Sequence, residues 1–126
     1  MSFLYTEEFL EHLEHTRNVG EIENPSGIGE ARSETCGDVL RMMIRVNGEK
    51  IIDIKFKVYG CATAIAGGSL LTEMAKGLNV EDAEKITAAQ LEESFKGIPE
   101  YKFKCLENVV KALMGAIDDF RMRQNE

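Results

Sequence analysis

The sequence predicts a domain of the α+β class, in which an antiparallel β-hairpin is followed by several helices. Residues 40–46 and 52–58 each alternate apolar with mostly polar side chains, which is the period-two pattern of a half-buried strand. The dipeptide Asn47-Gly48 lies between them and is a strong hairpin turn signal. Residues 102–123 repeat apolar side chains at helical spacing, which predicts one long C-terminal helix.

The register of the hairpin can be predicted by keeping the apolar side chains of both strands on one face. A two-residue turn at Asn47-Gly48 would put the two apolar faces on opposite sides of the sheet. A three-residue loop over residues 46–48, with Gly48 in the left-handed bulge position, aligns both faces and pairs Met42 with Ile52. We therefore predict the three-residue loop.

Continued to the open end of the hairpin, this register predicts Asp38 opposite Phe56 and Cys36 opposite Val58. Cys36 and Asp38 are two residues apart in an extended chain, so their side chains project on the same side. Cys61 follows the second strand at the same end. Three side chains able to bind a metal are therefore expected to converge there.

The remaining elements follow from capping and turn signals. Thr6 can cap a short helix over residues 6–15, and Asn79 and Thr87 can cap two more. Glycines make residues 16–30 a loop with room for one short edge strand. Gly67-Gly68 inside the second helix is interpreted as close backbone packing against the sheet rather than as a phosphate site. The predicted helices before the last one cover residues 6–15, 61–76, 80–85 and 88–94.

The chain has 126 residues, which is the commonest size of one compact domain, and we predict a single domain over residues 1–126. Its net charge of −7 argues against nucleic-acid binding and favours a basic protein partner. No apolar run approaches the length of a membrane span, so no membrane association is expected. The acidic N-terminal residues predict neither a signal peptide nor a transit peptide, and hence a cytoplasmic protein.

The three cysteines, Cys36, Cys61 and Cys105, are 25 and 44 residues apart, too far for paired CxxC zinc knuckles. In a reducing cytosol an odd number of cysteines indicates thiols or metal ligands rather than disulfides. Three thiolates with Asp38 as a harder oxygen ligand would complete one four-coordinate site for a soft metal. A ligand set that mixes hard and soft atoms suits a metal or cluster that must leave again.

Cys61 and Cys105 are both predicted near helix N-termini, where unpaired N–H groups and the helix dipole favour an anion. Such a position enriches the thiolate, which is the form that binds metal and attacks sulfur, and Lys104 acts in the same direction. The alternative for any single cysteine is a small buried hydrophobic residue. That alternative is weaker for the set, because all three cysteines lie at the ends of elements and outside the apolar stripes.

Four segments of the chain together form a specific pattern: Arg17-Asn18-Val19-Gly20, Cys36-Gly37-Asp38-Val39, residues 56–66 (FKVYGCATAIA) and Lys104-Cys105. With this pattern the chain resembles the IscU/NifU type of iron–sulfur cluster assembly scaffold. The resemblance runs nearly end to end without large gaps and covers the scaffold domain of the longer NifU proteins.

The resemblance implies an α+β fold in which a three-stranded antiparallel sheet is packed on one face by about five helices, the last of them long. It implies a binding and transfer protein rather than an enzyme. A 2Fe–2S cluster would be assembled from iron and from sulfur that a cysteine desulfurase delivers, and would then pass to recipient apo-proteins. The implied ligands are Cys36, Asp38, Cys61 and Cys105, with Cys105 as the persulfide acceptor; the cluster-free form could hold zinc. The oligomeric state is left open, and a homodimer could share clusters between chains.

Two segments depart from the family pattern. The family commonly has histidine where this chain has Lys104, and a lysine must lose its proton to bind metal, so Asp38 becomes the expected fourth ligand. The chaperone-recognition segment of the family, typically Leu-Pro-Pro-Val-Lys, reads IPEYK over residues 98–102. Dependence on a DnaK-type chaperone is therefore not predicted.

Two alternatives remain at this stage. One is a zinc-bound sulfurtransferase of the SufU kind, which passes persulfide sulfur onward. Those proteins carry an insertion between the second and third cysteines that this chain lacks, which favours the scaffold. The other is a structural zinc domain that serves as an interaction module, because zinc fits the same ligands.

Overall fold

The structure is a computed structural model that describes residues 5–34 and 37–125. Every helix that the sequence predicts is present, with each end within two residues of its predicted position, and the predicted edge strand is present as well. The elements are α1 (Glu7–Glu14), β1 (Gly27–Arg32), β2 (Val39–Asn47), β3 (Lys50–Tyr59), α2 (Ala62–Ala75), α3 (Val80–Ala83), α4 (Ala88–Ser94), a short 3-10 turn (Glu100–Lys102) and α5 (Phe103–Gln124).

The three strands form an antiparallel sheet in the order β1-β2-β3, so the predicted fold class is confirmed. Helix α5 packs on β1 and β2, and α2 packs on β3 and on α5, while α1 and α4 lie against these two helices. The core is the layer between this sheet face and the helices. Its fully buried members from the sheet include Leu40, Met42, Ile44, Ile54 and Phe56.

The predicted hairpin register is wrong. Met42 pairs with Phe56 instead of Ile52, and Asn47 pairs with Lys50, so the loop consists of Gly48 and a single further residue. The register shifts between Arg45 and Val46, where β3 carries one extra residue and forms a β-bulge. A two-residue loop alone would put the apolar faces of the two strands on opposite sides of the sheet. The bulge reverses the side-chain alternation in β3, so both apolar faces lie on the same side. Gly48 does adopt the expected left-handed conformation, with φ of 67°.

The bulge explains which isoleucines of β3 are buried. Ile51 is fully buried and Ile52 is 43% exposed, although the simple alternation predicted Ile52 on the core face. By the same alternation Met43 would lie on the face opposite Met42, yet it is only 2% exposed. It belongs to the central strand and pairs with Ile28 of β1 and Lys55 of β3.

The glycines of α2 allow the close packing that the sequence indicated. A Cβ atom on Gly68 would lie 2.3 Å from the Phe56 ring, which belongs to the sheet. A Cβ atom on Gly67 would lie 2.8 Å from the Leu106 side chain, so this second glycine faces α5 rather than the sheet. Two adjacent glycines thus let one helix approach both the sheet and its neighbouring helix.

This packing brings three chain segments together at one end of the sheet. The segment before β2, the N-terminus of α2 and the N-terminus of α5 meet there, because α2 follows β3 after only two residues and lies beside α5. Within the described residues, no helix is both long enough and apolar enough to cross a bilayer.

Candidate metal centre

Asp38 lies immediately before β2 and is completely buried. Its backbone is held by the preceding loop, since the Ser33 N–H donates to the Asp38 carbonyl at 2.9 Å and the Gly37 N–H donates to the Ser33 carbonyl at 2.8 Å. Gly37 has φ of 72°, which glycine adopts without strain. A buried carboxylate is costly unless it is paired or hydrogen-bonded, so its partners define its role.

The two carboxylate oxygens of Asp38 have different partners. Oδ1 accepts a hydrogen bond of 2.9 Å from the Cys61 N–H, and Oδ2 lies 3.5 Å from the Cys61 Sγ. Cys61 is the N-cap residue of α2, so the carboxylate lies at the positive end of the helix dipole. Asp38 therefore shapes the loop around Cys61 and also presents an oxygen to its sulfur.

Cys61 and Cys105 are not joined in a disulfide, and their sulfur atoms are 3.4 Å apart. Cys61 is half-buried at the start of α2, whereas Cys105 is fully buried in the first turn of α5. Ligand atoms of Asp38, Cys61 and Cys105 all lie within 4.8 Å of one another. The hairpin register was wrong, but two of the three residues that it was used to bring together, Asp38 and Cys61, do lie side by side; the third, Cys36, lies outside the described residues.

The spacing of these atoms matches that of ligands around one ion. Two thiolates bound to tetrahedral zinc with Zn–S bonds of about 2.3 Å are about 3.8 Å apart, and a thiolate and a carboxylate oxygen are about 3.5 Å apart. The observed separations of 3.4 Å and 3.5 Å are close to these values. The three side chains can therefore bind a single ion with small adjustments.

Gly60 provides the space for the Asp38 carboxylate. With the observed register, Asp38 faces the residue that follows β3, not Phe56 as predicted. A Cβ atom on Gly60 would lie 2.3 Å from Asp38 Oδ1 and 2.7 Å from its carboxyl carbon. Gly60 was not predicted as part of the site, although its position directly before Cys61 was a usable signal.

Cys36 and Lys104 were also predicted at or beside the site. Cys36 lies outside the described residues, so its role as a ligand stays a prediction. Lys104 is exposed and lines an open groove of about 410 Å³ with Arg32 and Lys111, while the adjacent Cys105 faces the interior. Two exposed aromatic side chains precede the two cysteines in sequence: Tyr59, two residues before Cys61, is 82% exposed, and Tyr101, four residues before Cys105, is 74% exposed.

Two thiols and a buried carboxylate meet at two helix N-termini of an α+β fold, and this group could hold a soft or borderline metal. The family model of the NifU-like N terminal domain matches residues 4–126. The chain belongs to this family.

Curated relatives cover most of the chain. The iron–sulfur cluster assembly scaffold protein IscU 1 of Archaeoglobus fulgidus is 41% identical over 93% of this chain and 76% of its own length. IscU of Aquifex aeolicus is 40% identical over 98% and 80%, and IscU of Azotobacter vinelandii is 39% identical over 95% and 96%. These relatives are cluster assembly scaffolds.

Solved structures share the fold. One is an iron–sulfur cluster assembly scaffold candidate for the SUF system from Fervidobacterium islandicum AW-1, with a TM-score of 0.76, 22% identity, and coverage of 90% of this chain and 96% of that one. Another is the N-terminal part of a nitrogen-fixing NifU-like protein from Brucella abortus, with a TM-score of 0.75, 14% identity, and coverage of 96% and 94%. At these identities the likeness shows the fold alone.

Proposed function

We propose that this protein is a scaffold on which an iron–sulfur cluster is assembled and from which it is transferred to apo-proteins. The observation that carries the proposal is the meeting of Asp38, Cys61 and Cys105 within 4.8 Å, in a family whose curated relatives are named as such scaffolds. We treat residues 1–126 as one scaffold domain. The protein itself acts by binding and transfer rather than as an enzyme in the usual sense.

The proposed cargo is a 2Fe–2S cluster bound by Cys36, Asp38, Cys61 and Cys105. The three thiolates match the soft character of the cluster irons, and the Asp38 carboxylate is a harder ligand that an incoming thiol can replace. We therefore propose that the bond to Asp38 breaks first when the cluster leaves. Zinc can use the same ligands in the cluster-free protein, where Asp38, Cys61 and Cys105 already lie at suitable distances.

Sulfur delivery is proposed to occur at Cys105. The Cys105 thiolate would attack the outer sulfur of a desulfurase persulfide, forming a new S–S bond while the desulfurase cysteine leaves as a thiolate. Because Cys105 is fully buried, this step requires its thiol to become accessible, and we propose that the segment before α5, residues 97–102, moves to allow this. Conversion of the persulfide sulfur to sulfide then consumes two electrons, which a separate electron donor must provide.

The partners follow from the chemistry of the surface and the cargo. A cysteine desulfurase is the sulfur donor, and apo iron–sulfur proteins are the recipients. The exposed Tyr59 and Tyr101 lie next to the cysteines in sequence and offer contact area for such partners. The net charge of −7 favours partners with basic surfaces. A reducing, cytoplasmic environment would keep the three cysteines available as thiols.

The test is anaerobic incubation of the protein with ferrous iron, cysteine, a reductant and a cysteine desulfurase. We expect visible absorbance of a protein-bound cluster, followed by transfer of the cluster to an apo-ferredoxin. The Asp38→Cys variant should assemble the cluster and release it more slowly. A wild-type protein that stays colourless under conditions in which a known scaffold loads its cluster would contradict the proposal.

The same reaction without iron tests the sulfur acceptor. We expect mass spectrometry of the trapped protein to find one additional sulfur on Cys105, and none in the Cys105→Ser variant. Sulfur found only on Cys36 or Cys61 would refute the assignment to Cys105. Cys61 is the informative comparison, because its thiol is half-buried and lies 3.4 Å from that of Cys105.

The SufU-like sulfurtransferase remains the second candidate, because a SUF-system protein shares the fold. It is less well supported, since that protein is 22% identical whereas the curated IscU scaffolds above are 39–41% identical. A colourless zinc protein that accepts persulfide sulfur and passes it on would favour this candidate over the scaffold.

A further inference from the structure

The N-terminus of α2 is built differently from that of an ordinary capped helix. Cys61 occupies the N-cap position with an extended backbone, and its side chain makes no capping hydrogen bond to the described residues of the helix. Its sulfur instead lies 3.4 Å from the Cys105 Sγ and 3.5 Å from Asp38 Oδ2. The thiol is thus directed to the other metal-binding side chains instead of stabilising its own helix.

Thr63, two residues into this helix end, has a buried hydroxyl with no hydrogen-bond partner in the part of the chain that the structure describes. The residue is 0% exposed. Threonine in a helix usually donates to the carbonyl four residues earlier, but that residue is Tyr59, which belongs to β3. An unpaired hydroxyl in the interior costs free energy that an apolar side chain of the same shape would not.

Thr72 provides the contrast within the same helix. It is also 0% exposed, and its Oγ1 donates to the Gly68 carbonyl at 2.8 Å and accepts from Asn18 Nδ2 at 3.0 Å. Burial of a threonine in α2 therefore does not by itself leave the hydroxyl unpaired. The unpaired hydroxyl is at the end of the helix where the cysteines meet.

The packing of α2 against α5 indicates the direction in which Thr63 faces. Residues four apart lie on one face of a helix, so Thr63 lies one turn before Gly67 on the same face. A Cβ atom on Gly67 would contact the side chains of Leu106 and Val109 in α5. Leu106 follows Cys105 directly. Thr63 is therefore on the α5-facing side of α2, at the end occupied by the sulfur atoms of Cys61 and Cys105.

We propose that the Thr63 hydroxyl donates a hydrogen bond to a thiolate sulfur of the Cys61–Cys105 pair when a metal is bound there. In the metal-free protein neither sulfur is part of a disulfide, so both are thiols. Metal binding releases their protons, so two thiolates and the Asp38 carboxylate together surround the ion and exceed the charge of a divalent cation. A hydroxyl donor beside the thiolates compensates this excess, and the metal-bound state satisfies a group that the metal-free state leaves unpaired.

The inference rests on the proposed function only in taking these residues as metal ligands. Its readouts are binding of zinc and of cobalt, neither of which requires cluster assembly. Failure of wild-type protein to assemble a cluster would therefore contradict the scaffold proposal and leave this test intact. Failure of the present test would leave cluster assembly untouched.

Three variants provide the test: Thr63→Val, which replaces the hydroxyl by a methyl group; Thr63→Ser, which retains it; and Thr72→Val, which removes a paired hydroxyl from the same helix. Zinc affinity is measured by competition with a chromophoric chelator. Cobalt spectra report the sulfur-to-metal charge-transfer band. Thermal unfolding of the metal-free proteins reports stability without metal.

We expect Thr63→Val to raise the unfolding temperature of the metal-free protein and to weaken zinc binding about 10-fold. Its cobalt charge-transfer band should move to lower energy, because a thiolate that loses a hydrogen bond is a better electron donor. Thr63→Ser should retain wild-type affinity and spectrum. Thr72→Val should lower the unfolding temperature and leave zinc affinity unchanged.

Three outcomes would overturn the inference. One is equal zinc affinity and an unshifted cobalt band in Thr63→Val. The second is weakened binding in Thr63→Ser as well, which would assign the effect to side-chain shape. The third is a lower unfolding temperature of metal-free Thr63→Val, since the hydroxyl would then already be paired in the metal-free protein.

Discussion

Gly60 and Asp38 depend on each other, although they are far apart in sequence. The Asp38 carboxylate occupies the volume beside Gly60, and its Oδ1 accepts the N–H of the next residue, Cys61. The left-handed region of backbone conformation is not what requires glycine here, because Gly60 is not among the residues with positive φ. The requirement is space for a neighbouring side chain.

We predict that Gly60→Ala destabilises the protein by about 2 kcal/mol, because its methyl group would lie 2.3 Å from Asp38 Oδ1. In an Asp38→Ala background the nearest remaining atom of residue 38 would be Cβ, at 3.0 Å, so the same substitution should cost clearly less. The measurement is a double-mutant cycle by urea denaturation. If the effects of the two substitutions on the free energy of unfolding were additive, the contact with the Asp38 carboxylate would not be the reason that glycine is required at position 60.

At the scale of elements, the contact between α1 and α2 includes a half-buried histidine. His12 Nδ1 lies 2.8 Å from Ser69 Oγ in α2 and 3.3 Å from Arg17 Nη1. Since the guanidinium can only donate, Nδ1 accepts, and neutral His12 carries its proton on Nε2. Burial, followed by the charge of Arg17, lowers the pKa of His12 below its ordinary value of 6.5, against smaller opposing effects of Glu73 and Glu11.

The lowered pKa of His12 makes stability depend on pH in a defined direction. Below about pH 6.5 His12 binds a proton more readily in the unfolded chain than in the folded protein. The contribution of neutral His12 to the free energy of unfolding is therefore complete above that pH and is lost as the pH falls. We predict that wild type loses more stability than His12→Gln between about pH 7.5 and about pH 5.5. Urea denaturation at each pH measures the difference.

His15 provides the matched control, because it lies three residues further on and is exposed. His15→Gln should lose stability with falling pH to the same extent as wild type. If His12→Gln and wild type instead had the same pH dependence, the buried neutral state of His12 would not contribute to stability in this range.

The positions of the helices and strands were predictable from the sequence, but the pairing of the strands was not. Alternation and capping residues predicted both strands of the hairpin and the helices, because these signals are local; the Thr87–Gln90 capping box of α4 is an example. The pairing of the strands was not predictable in this way. One extra residue in β3 shifts every pair from Arg45 to the open end of the hairpin, and alternation within each strand does not show where that residue lies.

Some features of the candidate site also leave a local signal in the sequence, and others do not. Cys61 and Cys105 were predictable, because chemistry-bearing residues at helix starts leave a local signal. The dependence of Asp38 on the space beside Gly60, and the unpaired hydroxyl of Thr63, were not. Both arise from contacts between segments that are distant in sequence, and such contacts exist only once the whole molecule has folded.

At the scale of the whole molecule, the three proposed metal ligands belong to three different parts of the fold. Asp38 precedes the central strand, Cys61 begins α2 and Cys105 lies in the first turn of α5. The two helices form most of the layer that covers the sheet. A metal bound at this site would therefore connect the sheet to both of its main helices, and its binding free energy would add to the stability of the folded state.

We predict that zinc raises the thermal unfolding temperature, and that free zinc at 100 times its dissociation constant adds about 2.7 kcal/mol to the free energy of unfolding. Hydrogen exchange should slow at the backbone amides around Asp38 and in the first turns of α2 and α5, and should change little in α1. Cys61→Ser should lose most of the stabilisation, while His15→Gln should retain it. A zinc effect that survives in Cys61→Ser, or protection concentrated around α1, would place the metal at another site.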